Sequence, residues 1–174
     1  MKMTMKSETQ FTETERKFLV KDGYRQEAVS SSHIVQGYLC SDSKRTIRVR
    51  IRDDKGYITV KGKCAPGELS RFEWEKEIPA NEAAELLKLA EPGLIDKERF
   101  LVPCTDGKHM WEIDEFHGEN EGLRFAEIEL SDQDEAFDKP SWLGDEVTLD
   151  RRFYNSYLTA CPFRSWTAEE KAVI

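Results

Sequence analysis

In seven stretches of this chain the charged residues keep to alternate positions: Glu13, Glu15 and Lys17; Arg48, Arg50 and Arg52; Lys61 and Lys63; Arg71, Glu73, Glu75 and Glu77; Lys97 and Arg99; Glu112 and Asp114; Glu127 and Glu129. Successive side chains of a β-strand point to opposite faces, so each set shares one face of one strand. The other face carries Ile47, Val49, Ile51, Ile58, Val60, Phe72, Trp74, Ile78, Trp111, Ile113, Ala126, Ile128 and Leu130. The period-two segments are 11–20, 45–52, 56–63, 71–78, 97–102, 110–116 and 123–130, and 34–40 (IVQGYLC) makes an eighth strand. Gly56, after Asp53, Asp54 and Lys55, and the pair Gly118 and Gly122 punctuate hairpins, so most pairings are expected to be antiparallel.

Two arrangements accommodate this alternation. One is an antiparallel sheet with helices on its apolar face and water on its charged face. In the other the sheet closes with the charges inward, giving a barrel with a polar lumen and an apolar outer wall under helices. Like charges two apart on one face repel, and so do matched charges across strands, unless counter-charges, metal ions or anionic ligands compensate them. Closure brings opposite charges together across a lumen. The in-phase positions hold nine acids and nine bases, so the formal net charge of −8 belongs to the rest of the chain.

That charge argues against a general nucleic-acid binder, whose affinity comes from Lys and Arg on phosphates. A charged fraction of 34% would suit disorder, but nine Phe, five Tyr and four Trp supply a core. Residues 1–10 (MKMTMKSETQ) lack the apolar stretch of a signal peptide, and no run reaches the roughly 18 apolar residues of a membrane helix. The expected location is the cytoplasm, with no membrane partner. Cys40, Cys64, Cys104 and Cys161 are widely spaced, with no C-x-x-C and no zinc-type pattern around His33, His109 or His117, and read as reduced structural residues.

Helices are expected over 23–32, 80–90, 132–138 and 149–160; the second has Asn81 as a cap candidate and Ala83, Leu86, Leu87 and Ala90 on one face. The fold class is therefore α+β, mainly antiparallel β. A lumen of mixed charge has a chemistry. Carboxylate oxygens suit Mg²⁺ or Mn²⁺, while Arg and Lys suit phosphate oxygens. Carboxylates alone would repel a polyphosphate, and cations alone would bind it without activating water; both together are what metal-assisted phosphoryl transfer requires.

Glu13-Thr14-Glu15-Arg16-Lys17-Phe18-Leu19-Val20 resembles the E-x-E-x-K signature of the CYTH family, or triphosphate tunnel metalloenzymes, in the form of its small bacterial members. The resemblance continues through Gln36 to Leu39, Ile47 to Arg50, Ile58 to Gly62, Arg71 to Pro79, Lys97 to Phe100, Trp111 to Phe116, Leu123 to Leu130, Trp142 to Gly144 and Glu146 to Thr148. It implies an eight-stranded closed, tunnel-like barrel over 11–163, with helices outside, a flexible segment 1–10 and a C-terminal tail 164–174. By position it implies Glu13, Glu15, Glu73, Glu75, Asp114, Glu127 and Glu129 as metal ligands. Lys17, Arg48, Arg50, Lys61, Lys97 and Arg99 become the triphosphate cradle, and Glu13, Glu15, Lys17 and Tyr38 take catalytic roles. Arg151 or Arg152 lies where a cation could reach a terminal phosphate. The implied activity is hydrolysis of a short triphosphate, inorganic tripolyphosphate first, with Mg²⁺ or Mn²⁺. Thiamine triphosphate hydrolysis, class IV adenylyl cyclisation and polyphosphate binding without turnover are the alternatives. A homodimer is compatible with a compact domain of this size.

Overall fold

The computed structural model describes residues 11–42, 44–63 and 69–174. Among these residues nine strands form one antiparallel sheet: β1 (Thr12–Val20), β2 (Ser30–Cys40), β3 (Arg45–Arg52), β4 (Lys55–Gly62), β5 (Ser70–Pro79), β6 (Ile95–Pro103), β7 (Met110–Phe116), β8 (Arg124–Leu130) and β9 (Leu143–Glu146). The order is β5-β4-β3-β2-β6-β7-β8-β1-β9, and β5 also pairs with β1, so the first eight strands close into a barrel. Closure uses only the start of β1: Thr12, Glu13 and Thr14 oppose Phe72, Arg71 and Ser70. Further along, Phe18 and Val20 pair with β9, which continues the β1 ladder.

The alternation settles the orientation of each strand. On β1 and β8, Glu15 opposes Glu129, Lys17 opposes Glu127 and Leu19 opposes Phe125, with Phe18 and Ala126 on the opposite face. The outward face of this arc forms one apolar cluster of Phe18, Val20, Val102, Trp111, Ile113, Ala126, Ile128 and Leu130, covered by Tyr24, Phe137 and Trp142. Trp111 and Trp142 meet edge to face at 5.7 Å between ring centres, so both serve as outer-wall packing, whereas Trp74 is 36% exposed. Over β2 to β5 the cover is α1 (Ala80–Leu87). It lies so close that a Cβ on Gly56 would stand 2.7 Å from the Cβ of Ala83, and one on Gly37 would stand 2.8 Å from Ala90 Cβ and Leu94 Cδ2. Glycine at these two positions is what lets the helix seat.

One end of the barrel is closed. Leu19, Ile95, Phe116 and Phe125 continue the lumen-facing parity of the charged rows, but they are apolar and pack with Phe153, Leu158 and Trp166 from the C-terminal segment. Burial of these large side chains, each contributing about 1.5–3 kcal/mol, fixes the C-terminal segment across the lumen. Trp166 lies in the stretch 164–174 set down from the sequence as a tail, and the same stretch holds α3 (Ala168–Lys171), capped by a reciprocal Thr167–Glu170 box.

Three helix expectations are corrected. Residues 23–32 contain one 3-10 turn, Tyr24–Gln26, and then join β2, because Ser30 to Ser32 pair with Leu101 to Arg99; an open sheet edge outweighed local propensity. In 132–138 the Asp132 carboxylate takes the Asp134 N–H and Glu135 takes the Ser131 N–H and hydroxyl, local bonds that compete with a helix. The 149–160 stretch breaks at extended Tyr154 into a 3-10 turn, Arg151–Phe153, and α2 (Asn155–Ala160). The expected helix over 80–90 is present as α1. Cys40, Cys104 and Cys161 are free thiols, and Cys64 lies outside the described residues, as does the expected flexible segment 1–10. Among the described residues no helix is long and apolar enough to cross a membrane.

Candidate active site

The lumen encloses a cavity of about 1310 Å³, bordered by Glu13, Glu15, Lys17, Tyr38, Arg48, Arg50, Arg52, Lys61, Glu73, Glu75, Arg99, Glu127 and Glu129. Residues more than a hundred positions apart in sequence meet here because each occupies the inward parity of its strand. The charges fall into three groups, distinguished by how completely they compensate one another.

The first is a balanced belt on β1, β6, β7 and β8. Asp114, fully buried, accepts from Arg99 Nε and Nη2 at 2.6 Å each and from Lys97 Nζ at 2.6 Å. Arg99 also donates to Glu127 at 2.8 Å and to Glu112, and Lys17 donates to Glu127 and Glu15. Burial alone would raise Asp114 and Glu127, yet the cations hold both carboxyls below the usual range: Arg99 and Lys97 for Asp114, Lys17 and Arg99 for Glu127. For Lys17 burial is outweighed by Glu127 and Glu15, and the ammonium is stabilised. Lys97 fares differently. Burial and the neighbouring Arg99 push it down to about 8, against the opposing pull of Asp114, which Arg99 already grips with two bonds.

The second group is acidic in excess. Lys61 bridges Glu13 at 2.8 Å and Glu73 at 2.7 Å, and Arg71 adds a bond to Glu13 at 3.0 Å. Glu129 forms no ion pair among the described residues and stands directly opposite Glu15. Burial, then Glu13, Glu112, Glu73 and Glu15, raise the Glu129 carboxyl, and burial with Glu127 and Glu13 raises Glu15 in spite of Lys17. Like charges facing across a ladder destabilise the sheet. A cation placed among them would relieve that cost.

The third group is cationic in excess. Arg48, Arg50 and Arg52 share the inward face of β3, and one carboxylate, Glu75, serves two of them, at 3.4 Å from Arg48 and 3.0 Å from Arg50. Thr59 donates to the same carboxylate at 2.7 Å, which these cations hold below its usual range in spite of burial. Arg52 lies 5.0 Å over the Tyr57 ring and donates to its hydroxyl at 3.0 Å. Burial and Arg48 bring Arg50 down to about 10. The Nε atoms of Arg48 and Arg50 are buried without a partner among the described residues.

Every residue expected in the site lies on the inward face, though not in one environment. Lys97 and Asp114 sit beneath the cavity surface, completely buried. Glu75 and Asp114 are engaged by cations. Tyr38 borders the cavity opposite Arg48 in register, its hydroxyl raised by burial. Of the two C-terminal arginines only Arg151 borders the cavity; Arg152 is turned to Asp150, the Glu170 carbonyl and the Trp166 ring.

Sequence reasoning passed over several participants. Gln36, opposite Arg50, is wholly buried with neither amide atom partnered among the described residues, a condition that costs about 1–3 kcal/mol per group. Asn155 accepts from Lys97 at 3.2 Å, and Lys108 and His109 border the cavity mouth. None belongs to a charge-alternating strand face, so parity gave no signal for them.

The donor set available to a divalent ion is all oxygen. Among the described residues no three acidic, Cys or His side chains converge into a ready-made metal cage. Oxygen donors of this kind suit a hard divalent cation.

Comparison with known proteins agrees with this geometry. The CYTH domain model matches residues 12–156. An inorganic triphosphatase of Acetivibrio thermocellus is 45% identical over 156 residues, 88% of this chain and 97% of that protein. An inorganic triphosphatase of Nitrosomonas europaea is 33% identical over 84% of this chain and 96% of its own length. The crystal structure of the inorganic triphosphatase NE1496 superposes with a TM-score of 0.58 at 31% identity, covering 84% of this chain and 93% of that one. A closed antiparallel barrel, charges turned inward in the family's order and a match across most of the sequence lead to one assignment: the chain belongs to the CYTH family.

Proposed function

We propose that the protein is a divalent-metal-dependent triphosphatase whose substrate is inorganic tripolyphosphate, released as orthophosphate and pyrophosphate, with Mg²⁺ as the working ion. The observation that carries this is the division of one cavity into an acidic excess and a cationic excess, joined by a balanced belt. A linear triphosphate with its metal supplies both missing charges at once. The relatives named inorganic triphosphatase support the same reading.

Glu15 and Glu129, with Glu13 beside them, would hold the ion, and Glu73 is poised next to Lys61 as a further acceptor. A divalent ion held there would supply Lewis-acid polarisation of phosphoryl oxygens and activation of water. Arg48 and Arg50 clamp phosphoryl oxygens, Arg by its planar fork and Lys61 as a point charge. Lys17, fixed between Glu15 and Glu127, offsets charge that gathers on the phosphoryl oxygens in the transition state. Glu75, Asp114 and Glu127 position cations: each holds a guanidinium or ammonium in place before substrate arrives, so little reorganisation is needed during reaction. The apolar plug keeps water from entering at the closed end, and Tyr38 borders the path beside Arg48.

Incubating the purified protein with tripolyphosphate, ATP or thiamine triphosphate, each with Mg²⁺ or Mn²⁺ and with chelator, tests this. Equal amounts of orthophosphate and pyrophosphate from tripolyphosphate, only with metal, are expected. No phosphate from any combination would overturn the reading, and cyclic AMP from ATP would replace it with a cyclase.

A further inference from the structure

Gln36 lies on the inward face of β2, one alternation from Tyr38, with Arg50 opposite on β3 and Ile95 opposite on β6. Its side chain is wholly buried, and neither its amide oxygen nor its nitrogen has a partner among the described residues. The neighbouring Nε groups of Arg48 and Arg50 are likewise without a partner among the described residues, where Glu75 meets these two guanidiniums through Nη2. Three donors and one acceptor without partners thus sit on two paired strands, where a single carboxylate faces two guanidiniums. Ile34, one alternation away on β2, and Ile95, opposite on β6, are both wholly buried and apolar.

We propose that Gln36 is a positioning residue of an anion subsite: from beneath the cavity surface its Oε1 accepts from the Arg50 guanidinium, and its uncharged amide holds Arg48 and Arg50 toward the unesterified end of a polyphosphate. The chemistry favours an amide here. A third cation would repel the two arginines, and a carboxylate would neutralise them and compete with phosphate. An amide offers a donor and an acceptor with no charge. Ile95 belongs to the apolar plug, so the subsite lies against the closed end and sets how deep a phosphate chain enters.

The inference rests on the triphosphatase reading, and one set of measurements separates the two. Binding of orthophosphate, pyrophosphate and tripolyphosphate without metal is followed by calorimetry on the full chain and its Q36M and Q36E variants, together with steady-state kinetics on tripolyphosphate with Mg²⁺. Q36M is expected to keep or raise the Tm, weaken pyrophosphate binding about tenfold, the worth of one charge-assisted hydrogen bond, and raise KM with little change in kcat. Q36E is expected to weaken binding further, by about a hundredfold, because its carboxylate occupies the arginines. Unchanged pyrophosphate affinity and KM in Q36M would overturn the subsite while leaving the activity standing. Wild-type protein that binds pyrophosphate in a Gln36-dependent way yet hydrolyses nothing would uphold the subsite and overturn the activity.

Discussion

The β1–β8 arc and the β3 row are built by the same device, alternate charged residues turned into one lumen, and they end in opposite states. On β1 and β8 carboxylates outnumber their cations, and Glu15 and Glu129 are both raised. On β3 guanidiniums outnumber carboxylates, and Arg50 is lowered. Each arc is strained in isolation, since its charges are disfavoured by burial and by their neighbours. The belt of Lys97, Arg99, Asp114 and Glu127 lies between these states: its carboxylates are held low by cations bonded to them. Balanced charge builds the wall, and in the proposed function the imbalance is what a metal ion and a triphosphate would compensate. Perturbed groups in a cavity of this kind are what a functional site is expected to show.

Removing a carboxylate from the acidic arc should therefore cost activity without costing stability. Glu15→Gln is expected to lower metal-dependent tripolyphosphate hydrolysis by about 10³-fold or more, since a metal ion supplies several kcal/mol of transition-state charge stabilisation. The Tm should hold or rise, because a carboxyl raised in the folded state is replaced by a neutral amide. Full activity in this variant, or a large loss of Tm with Mg²⁺ affinity intact by calorimetry, would break the distinction between the acidic arc and the belt.

The cationic arc should answer in substrate affinity. Arg50→Met is expected to reduce kcat/KM for tripolyphosphate by about 10²-fold, chiefly through KM, as befits loss of a bidentate contact made in ground and transition states alike. Arg48 would keep Glu75 paired, so the fold should survive. A fall in kcat with KM unchanged would move Arg50 from substrate binding to the chemical step and erase the contrast with Glu15.

Which parts of this could be read from the sequence follows from the physics of each signal. Charge alternation has a period of two and survives any packing detail, so the strands and the inward residues of β1, β3, β4, β5, β6, β7 and β8 were legible. Where alternation stops, legibility stops. Inward Gln36 on β2 sits in SSSHIVQGYLC, with no charged partner two residues away, and only the structure shows its burial and its missing partners. The four residues of β9, Leu-Gly-Asp-Glu, carry poor strand propensity and exist because β1 has a free edge beyond its short pairing with β5. The plug was hidden for another reason: Leu19, Phe116 and Phe125 keep the inward parity but not the charge, and what they meet comes from the far end of the chain. The division of labour among the carboxylates was likewise invisible, since Asp114 and Glu129 look alike until their partners are known.

The mildest test uses pH on the belt itself. Lys97 ordinarily titrates at 10.5 and is held at about 8 in the folded protein. Between those values the unfolded chain keeps the proton that the folded chain has released, so the unfolded state binds more protons and stability rises with pH. The gain expected from pH 8 to 9.5 is on the order of 1–2 kcal/mol. Asp114 and Glu127, held low, stay ionised across this window in both states and add no slope; their contribution is lost only on acidification. Arg50, lowered to about 10, adds a slope of the same sign only above the window. Urea unfolding at pH 8, 8.5, 9 and 9.5 should show the rise in wild-type protein and its absence in Lys97→Met, where Arg99 still holds Asp114. Cys104, Tyr24 and Tyr38, all raised by burial, keep protons that the unfolded chain gives up toward the top of this window and oppose the rise, so the readout is the difference between wild type and Lys97→Met. No difference between the two profiles would mean that Asp114 compensates Lys97 as fully as it does Arg99, making the belt uniform. A rise that persists in Lys97→Met would assign the slope to another group and leave Lys97 charged throughout.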